Sequence, residues 1–294
     1  MDAVRGRRRR LPVAFLSLLM VLVLAGCTLV DGAGLPDPQP LAGHLVVSYL
    51  DVGQGDASLL QAEGCTMLID TGRHDRQDLL PLLQQAGVTA LDVLVLTHPH
   101  ADHIGQAARV LRTLPVAEVW MSGWEHTTAT FERTLDALLD SEAGYWEPRT
   151  GDTHRCGPLF IQILNPSEPL TDIHDNLALR VSFGQVAFLW TGDAETRHEE
   201  AMLATGLPVV AQVLQLGHHG SRTSSGERFL QAVDPSVAVY SAGRDNDYGH
   251  PHREVMERLE ALGIPVYGTD EYGTIRVITD GRSWTIETER EPGP

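Results

Sequence analysis

A run of six residues, His98-Pro99-His100-Ala101-Asp102-His103, holds four metal-binding side chains and follows the largely apolar stretch Leu91 to Leu96. Only Thr97 separates the two segments. An apolar run of this length predicts a buried strand, so the four side chains share one loop at its end. Imidazole nitrogen and carboxylate oxygen are ligands that Zn²⁺ and Mn²⁺ accept. The spacing therefore predicts a site for a pair of divalent cations rather than a polar loop with chance histidines.

The first 27 residues differ from the rest of the chain. An arginine-rich start, residues 5–10, precedes the almost wholly apolar stretch Leu11 to Ala25. A spanning helix needs about 20 apolar residues, so this shorter stretch predicts an export signal over residues 1–27. Its last four residues, Leu24-Ala25-Gly26-Cys27, resemble a bacterial lipobox and predict lipidation at Cys27. A plain signal peptide or a short uncleaved anchor remains an alternative.

The rest of the chain is predicted to form a tether, one domain and a tail. Residues 28–43 are rich in Gly and Pro without apolar periodicity, which predicts a flexible tether. Residues 44–288 form the domain and residues 289–294 the tail. We expect an exported lipoprotein of the cell membrane that faces outside the cytoplasm. That compartment permits a disulfide between Cys65 and Cys156, although two buried thiols fit the sequence equally well.

Charge limits the class of partner. The chain carries −17 in total, and residues 1–26 carry +4, so the remainder carries −21. It also contains no lysine. Proteins bind long nucleic acids largely by neutralising phosphates with basic side chains, so this balance disfavours nucleic acid unless arginines line a local groove. The sequence predicts membrane contact through the lipid anchor and indicates no protein partner.

Further polar clusters follow predicted strands along the chain. The clusters are Asp51-Val52-Gly53-Gln54-Gly55-Asp56, Asp70-Thr71-Gly72, Thr191-Gly192-Asp193, Gly217-His218-His219-Gly220-Ser221 and Tyr248-Gly249-His250-Pro251-His252. Strands grouped in each half, with helices between them, predict two mixed sheets packed face to face and covered outside by helices. Because each cluster lies just past a strand, we expect the clusters to converge on one rim.

These motifs, in this order, resemble those of metallo-β-lactamase-fold hydrolases. The resemblance is narrower to the hydrolase domain of ComEC-type DNA-uptake proteins and their stand-alone relatives, and it covers about residues 44–288. It implies an α/β (α+β) fold, specifically an αββα sandwich of two mixed β-sheets flanked by helices. It also implies two divalent metal ions, Zn²⁺ or Mn²⁺, as cofactors.

The resemblance also implies a ligand set. The implied metal ligands are His98 and His100 for the first ion, Asp102, His103 and His219 for the second, and Asp193 as a bridge. His218 is predicted to face the substrate, because neighbours in an extended chain point in opposite directions, and the reversed assignment of His218 and His219 stays open. Uptake-type relatives tend to carry Asn where other members supply a further imidazole, and Asn176 fits them. With His174 as an ordinary loop histidine, the first ion would have an open coordination position.

Five further residues are predicted to act beside the metals. Asp70 is expected to orient a ligand histidine, or else to be a carboxylate of a strand-end turn. Asp51 and Asp56 flank the glycines of a turn that approaches the metals, or serve that turn alone. Ser221 is expected to bind substrate oxygens. His250 is expected to line the substrate side, with a surface-loop histidine as the alternative.

The implied chemistry is hydrolysis. Two cations lower the pKa of a water that bridges them towards about 7 and neutralise charge that builds on a phosphate or carbonyl. We expect His218 and the ligand Asp102 to be catalytic. Together with the export signal, the resemblance thus predicts an exported, membrane-tethered, metal-dependent hydrolase of phosphodiesterase or nuclease type, with a small anionic or phosphodiester substrate. The alternatives are a hydrolase of another ester, lactone or β-lactam, and a non-catalytic lipid-anchored binding protein that keeps the fold.

Overall fold

The computed structural model describes residues 42–291. The predicted signal at 1–27, its lipidation residue Cys27 and nearly all of the tether at 28–43 lie outside the described residues, as does the end of the predicted tail. None of the helices in the described part of the chain is long and apolar enough to cross a bilayer.

Strands and helices alternate along residues 42–291. The strands are β1 (Leu45–Tyr49), β2 (Ser58–Ala62), β3 (Cys65–Ile69), β4 (Leu91–Leu96), β5 (Val116–Met121), β6 (Gly144–Trp146), β7 (Thr153–Cys156), β8 (Leu159–Asn165), β9 (Ala178–Phe183), β10 (Val186–Trp190), β11 (Val213–Gln215), β12 (Val237–Tyr240), β13 (Val266–Gly268), β14 (Ile275–Thr279) and β15 (Trp284–Thr288). The α-helices are α1 (Leu79–Gln85), α2 (Ala107–Thr113), α3 (Ala129–Leu139), α4 (Thr196–Ala204), α5 (Glu227–Val233), α6 (Arg253–Ala261) and α7 (Thr269–Tyr272).

The strands form two sheets, and both are mixed. The first has eight strands in the order β15-β14-β1-β2-β3-β4-β5-β6, and the second has seven in the order β13-β12-β11-β10-β9-β8-β7. In the first sheet β1 to β3 are antiparallel, whereas β3 to β6 are parallel. In the second sheet β7 to β10 are antiparallel and β10 to β13 are parallel. The predicted pair of mixed sheets is confirmed.

Strand β4 shows why the chain forms layers. Its side chains alternate between faces: Val93 and Val95 pack between the two sheets, while Leu94 and Leu96 pack under the outer helices. Helices α1 to α3 cover the first sheet and helices α4 to α6 cover the second. A strand buried on both faces reads as a nearly continuous apolar run. The predicted αββα sandwich is therefore confirmed.

A disulfide joins the two sheets. Cys65 at the start of β3 bonds to Cys156 at the end of β7, across a sequence separation of 91 residues. This decides between the two alternatives that the sequence left open. The opposite end of β3 lies beside the end of the parallel strand β4, which the ligand loop follows, so the crosslink lies away from the ligands.

One predicted strand is shorter than expected. The sequence predicts a strand from Val209 to Leu216, but only Val213–Gln215 joins the sheet as β11. Upstream, the amide of Ala211 donates to the carbonyl of Val233, and the side chain of Val210 is 50% exposed. The apolar run therefore belongs partly to a loop that packs on α5. The short strands β6 and β7 have no counterpart in the sequence-based expectation.

Candidate metal centre

Loops that follow β4, β10 and β11 meet at one edge of the sandwich and bring the predicted ligands together. Asp193 lies between two sets of side chains. Its Oδ2 is 3.4 Å from Nε2 of His98, and its Oδ1 is 3.2 Å from Nε2 of His103. We call His98 and His100 the first group, and Asp102, His103 and His219 the second group. Asp193 thus has the position of a bridge between them.

The second group is compact, and its two imidazoles are buried while Asp102 is partly exposed. Nε2 of His219 lies 3.3 Å from Oδ2 of Asp102 and 4.0 Å from Oδ1 of Asp193. The side chains of His103 and His219 are 0% and 1% exposed. Three of the converging atoms, Nε2 of each histidine and Oδ1 of Asp193, are buried and have no hydrogen-bond partner among residues 42–291. Buried polar atoms are normally hydrogen-bonded, so these two nitrogens and one oxygen are available for a further partner.

Hydrogen bonds at the outer nitrogen fix both imidazoles of the second group. Nδ1 of His103 donates to Oδ2 of Asp70 over 2.8 Å, and Nδ1 of His219 donates to the carbonyl of Ser241 over 3.0 Å. A carboxylate or carbonyl only accepts, so Nδ1 carries the proton and Nε2 is directed inward as a ligand atom. Asp70 also accepts from the amide and hydroxyl of Thr97, over 2.8 and 2.7 Å.

The turn from Asp51 to Asp56 packs against the ligand loop. A Cβ on Gly55 would lie 2.4 Å from the carbonyl oxygen of Asp102, so only glycine allows this approach. Asp56 reaches Nδ1 of His219 at 3.4 Å and Nδ1 of His103 at 3.8 Å. These three residues offer atoms within 4.8 Å of one another. Because both Nδ1 atoms already donate to other partners, we assign Asp56 to support of the imidazoles rather than to the ligand set.

Charge within the second group is balanced. Burial alone lowers the pKa of His103, but the carboxylates of Asp193 and Asp70 outweigh it and raise that pKa well above its usual value. Burial likewise lowers the pKa of His219, but Asp56 and Asp102 outweigh it, so that the pKa of His219 is also raised well above its usual value. Burial raises the pKa of Asp193, yet the nearby imidazoles hold it well below its usual range. Divalent cations replace such protons between imidazole and carboxylate, so the residues fit metal ions.

The first group is less firmly held. Nε2 of His98 lies 3.0 Å from Nδ1 of His100, and these atoms are 3.4 and 4.0 Å from Oδ2 of Asp193. The side chain of His98 is buried, whereas that of His100 is 34% exposed. Burial lowers the pKa of His98 to about 4, which leaves its imidazole neutral and able to bind a cation.

The segment after β11 is not extended, which corrects one premise of the sequence analysis. Gly217–Gly220 forms a 3₁₀ turn in which His218 and His219 both have left-handed backbone angles, with φ of 51° and 56°. The two side chains still diverge. His219 joins the second group, and Nε2 of His218 lies 3.6 Å from Oδ2 of Asp193, on the side of the first group. The turn, rather than strand alternation, separates the two imidazoles.

His174 lies beside the first group, although the sequence indicated an ordinary loop histidine. The centroid of its ring is 5.7 Å from that of His100, 6.4 Å from that of His98 and 5.9 Å from that of His218. Its Nδ1 is buried and has no hydrogen-bond partner in the described part of the chain. Asn176 donates from Nδ2 to the carbonyl of His174 over 2.8 Å and so holds this loop. The available sequence signal was the position of His174 two residues before Asn176.

An open cavity of about 390 Å³ lies over the centre. Its lining includes His100, Asp102, Asp193, His218, His219 and His250. The ring of His250 is 5.6 Å from that of His218. Burial lowers the pKa of His218, and it lowers the pKa of His250 to about 4. Both imidazoles are therefore neutral at neutral pH.

Two predicted residues lie apart from this cavity. Ser221 is buried, and its hydroxyl is 3.1 Å from that of Thr223. Asp51 lines a neighbouring cavity, where its Oδ2 is 3.2 Å from Nη2 of Arg290. The structure therefore gives Ser221 a role in the turn after His219, and it gives Asp51 a partner outside the ligand groups.

Comparison with known proteins agrees with this geometry. The model of the metallo-beta-lactamase superfamily matches residues 50–244. The chain belongs to this superfamily, and its histidine and aspartate site is that of a metal-dependent hydrolase.

Two relatives bear out the narrower resemblance. ComE operon protein 3 of Bacillus subtilis is 32% identical over 251 residues, which cover 78% of this chain and 32% of that protein. Competence protein ComA of Neisseria gonorrhoeae is 33% identical over 262 residues, which cover 87% of this chain and 35% of that protein. The chain thus spans about a third of the length of these relatives.

A solved structure shows the shared fold. The metallo hydrolase Igni18 from Ignicoccus hospitalis aligns with a TM-score of 0.55 at 17% identity. The alignment covers 79% of this chain and 98% of that protein.

Proposed function

We propose that this protein is an exported, membrane-tethered phosphodiesterase that uses two divalent cations. One observation carries the proposal: the two carboxylate oxygens of Asp193 face two separate groups of ligand atoms. A carboxylate between two such groups is typical of sites that hold two cations about 4 Å apart. Such sites stabilise both the attacking and the leaving oxygen when a phosphodiester is hydrolysed. The resemblance of the sequence motifs to the hydrolase domain of DNA-uptake proteins adds support for a phosphodiester substrate.

The residues that would hold the cations are His98 and His100 on one side, Asp102, His103 and His219 on the other, and Asp193 between them. When bound, the cations supply Lewis acidity and an activated water. The protein supplies orientation, because Asp70 and the carbonyl of Ser241 fix the two imidazoles of the second group.

His218 is placed to contact the substrate. It lines the cavity, and its side chain is 26% exposed. Burial lowers its pKa, and neighbouring cations would lower it further. A neutral imidazole donates a hydrogen bond to an oxygen on which charge develops, and it is a weak source of a proton at neutral pH. We therefore assign His218 to stabilisation of the developing charge rather than to protonation of the leaving group.

The substrate class can be tested by a small screen. Protein loaded with Zn²⁺ or Mn²⁺ is expected to hydrolyse bis-p-nitrophenyl phosphate, and Asp193→Asn is expected to abolish this activity. Asp92→Asn removes a similar charge from the exposed start of β4 and serves as the control. Cleavage of nitrocefin or a lactone without cleavage of the phosphodiester would reject the proposed substrate class.

The membrane tether rests on the sequence Leu24-Ala25-Gly26-Cys27. Cys27→Ser is expected to prevent lipid labelling and to leave the protein either released or unprocessed. Labelling with a radioactive fatty acid followed by membrane fractionation measures both outcomes. Unchanged labelling and fractionation of the variant would contradict lipidation at Cys27.

A further inference from the structure

A second cavity adjoins the metal centre. It has a volume of about 610 Å³, and Gln54 and Tyr248 line both this cavity and the one over the ligands. Its walls carry Arg73, Arg76, Arg244 and Arg290. We call it the arginine cavity. This concentration of guanidinium groups stands out in a chain with a net charge of −17.

Among the described residues, each of the four guanidinium groups retains at least one donor nitrogen for a ligand. Within residues 42–291, Arg76 hydrogen-bonds through Nε alone, to Asp78. Arg244 donates only from Nη2, to the carbonyl of Asp270 over 3.1 Å. Arg73 uses Nε and Nη2 on Asp75 and keeps Nη1. Guanidinium groups with free Nη donors are well suited to phosphate oxygens.

The fourth arginine has a structural role. Arg290 donates to the carbonyls of Thr269, Asp270 and Glu271, and it pairs with Asp51 at 3.2 Å. Its Nε and Nη2 are therefore engaged, and among the described residues only Nη1 is left without a hydrogen bond. Because four contacts hold Arg290 in place, we assign the ligand contacts chiefly to Arg73, Arg76 and Arg244.

Five aspartates also line the arginine cavity, so its wall is mixed in charge. The five are Asp51, Asp75, Asp245, Asp247 and Asp270. Asp51 and Asp75 are each paired with an arginine, and Asp270 is hydrogen-bonded to Tyr240. Asp245 and Asp247 are exposed. A divalent cation is thus the competing occupant.

The arginine cavity lies close enough to the ligands to share a substrate with them. Arg73 follows the turn that contains Asp70, and the pKa of its guanidinium is raised first by Asp75 and further by the charges of Tyr248 and Asp102. Gln54 is 7% exposed and accepts from the amide of Gly243, while its Nε2 has no hydrogen-bond partner among the residues that the structure describes. This buried amide donor adds a second, uncharged group that suits an anion.

We infer that the arginine cavity binds a second phosphate of the substrate, next to the phosphodiester that lies over the ligand groups. The inference rests on the proposed function. Substrates with two neighbouring phosphates, such as a short oligonucleotide, would then be preferred over diesters with one. A local site of this kind also accounts for how a strongly acidic chain accepts a polyanionic fragment, since contact charges outweigh distant ones at physiological ionic strength.

Kinetics test the substrate role. Metal-loaded wild type is expected to cleave a dinucleotide with a 5′-phosphate about tenfold more efficiently, in kcat/KM, than the same dinucleotide without it. Arg76→Gln and Arg244→Gln should each remove most of this preference and leave bis-p-nitrophenyl phosphate hydrolysis unchanged. Arg112→Gln on α2 makes the same charge change outside the cavity and should keep the preference. Equal rates for the two dinucleotides in wild type would overturn the inference.

Binding tests the site without hydrolysis. In calorimetry on metal-free protein, inorganic pyrophosphate should bind about tenfold more weakly to Arg76→Gln and to Arg244→Gln than to wild type or Arg112→Gln. Equal pyrophosphate affinity in all four proteins overturns the inference. The inference is also overturned if Ca²⁺ binds in the cavity and binds more tightly to Arg76→Gln and Arg244→Gln than to wild type.

If pyrophosphate binding depends on the arginines but the dinucleotides do not differ, the site takes free phosphate and the substrate role is wrong. Failure of wild type to cleave any diester would reject the proposed function, and the binding result would still decide the site.

Discussion

The two ligand groups that share Asp193 are held with different firmness. In the second group, His103 and His219 are each anchored at Nδ1 by an acceptor that the fold fixes, and both are buried. In the first group, Nδ1 of His98 also has an outer partner, the hydroxyl of Thr97 at 3.1 Å, but Nδ1 of His100 faces His98 rather than a carboxylate or carbonyl, and the His100 side chain is 34% exposed.

This difference implies that one cation binds more tightly than the other. Outer hydrogen bonds orient a ligand histidine and raise its basicity, and their loss typically costs about 10–100-fold in metal affinity or activity. The second group also contributes an additional carboxylate, Asp102, which favours a divalent cation by charge. We therefore expect the second group to keep its ion when the first group has lost its own.

The largest effect is expected when a ligand of the second group is removed. His219→Ala should lose the tighter ion. Its activity should fall by more than about 100-fold, because loss of an outer partner alone costs up to that factor. His218→Ala is the matched comparison, because it removes the adjacent imidazole and should keep its metal while kcat falls about 10²–10³-fold. Metal analysis beside bis-p-nitrophenyl phosphate kinetics measures both. If His218→Ala empties the tighter site and His219→Ala does not, the two roles are exchanged.

A smaller loss is expected from the outer partner of His103. Asp70→Asn keeps the size of the side chain but weakens its charged hydrogen bond to Nδ1 of His103, so affinity for the tighter ion should fall about 10–100-fold. Competition with a fluorescent chelator measures this affinity. Asp92→Asn, which alters an exposed carboxylate on β4, is the control. Equal affinity in wild type and Asp70→Asn would remove the physical basis of the difference between the groups.

The pH dependence of metal-free protein offers a third test. The pKa values of His103 and His219 are raised in the fold, against an unfolded value of about 6.5. Their contribution to stability is therefore complete below about pH 6.5 and is lost as pH rises through the folded pKa values. Thermal unfolding of chelated protein should show Tm decreasing from pH 6 to pH 9. Metal-loaded protein should not show this decrease, because the bound cations take the place of the protons on these imidazoles. A constant Tm for chelated protein would contradict the raised pKa values.

The smallest effect on the centre is expected from the disulfide. Cys65→Ser with Cys156→Ser should lower the free energy of unfolding by about 2–5 kcal/mol, since the crosslink restricts the unfolded chain. The order in which the two groups lose their ions should stay the same, because the bond lies at the far end of β3. Denaturant unfolding and metal analysis measure the two quantities. A change in metal order would show that the crosslink between the sheets helps to set the difference.

The sequence predicted the layers and the ligand loop because both depend on local patterns. Strand β4 reads as a buried strand, and the polar run from His98 to His103 follows it directly. The position of Asp70 at the end of a strand was likewise enough to place it near the ligands.

Features that depend on tertiary contacts were not predictable in this way. The left-handed turn at His218 and His219 is held by contacts with residues distant in sequence, such as the bond from the amide of His218 to the carbonyl of Gly192. The proximity of His174 to the first group depends on how the loop before β9 packs. The arginine cavity likewise brings its four arginines together from three distant segments of the chain.

Stepwise removal of metal tests the central claim most directly. Protein loaded with two equivalents of Zn²⁺ is titrated with a chelator, and bound metal and phosphodiester hydrolysis are measured in the same samples. We predict that one equivalent leaves first together with most of the activity, and that the second leaves only at about tenfold or higher chelator concentration. In Asp70→Asn the second step should occur at a lower chelator concentration, closer to that of the first step. Simultaneous release of both equivalents from wild type, or saturation at a single ion, would contradict two unequal sites around Asp193.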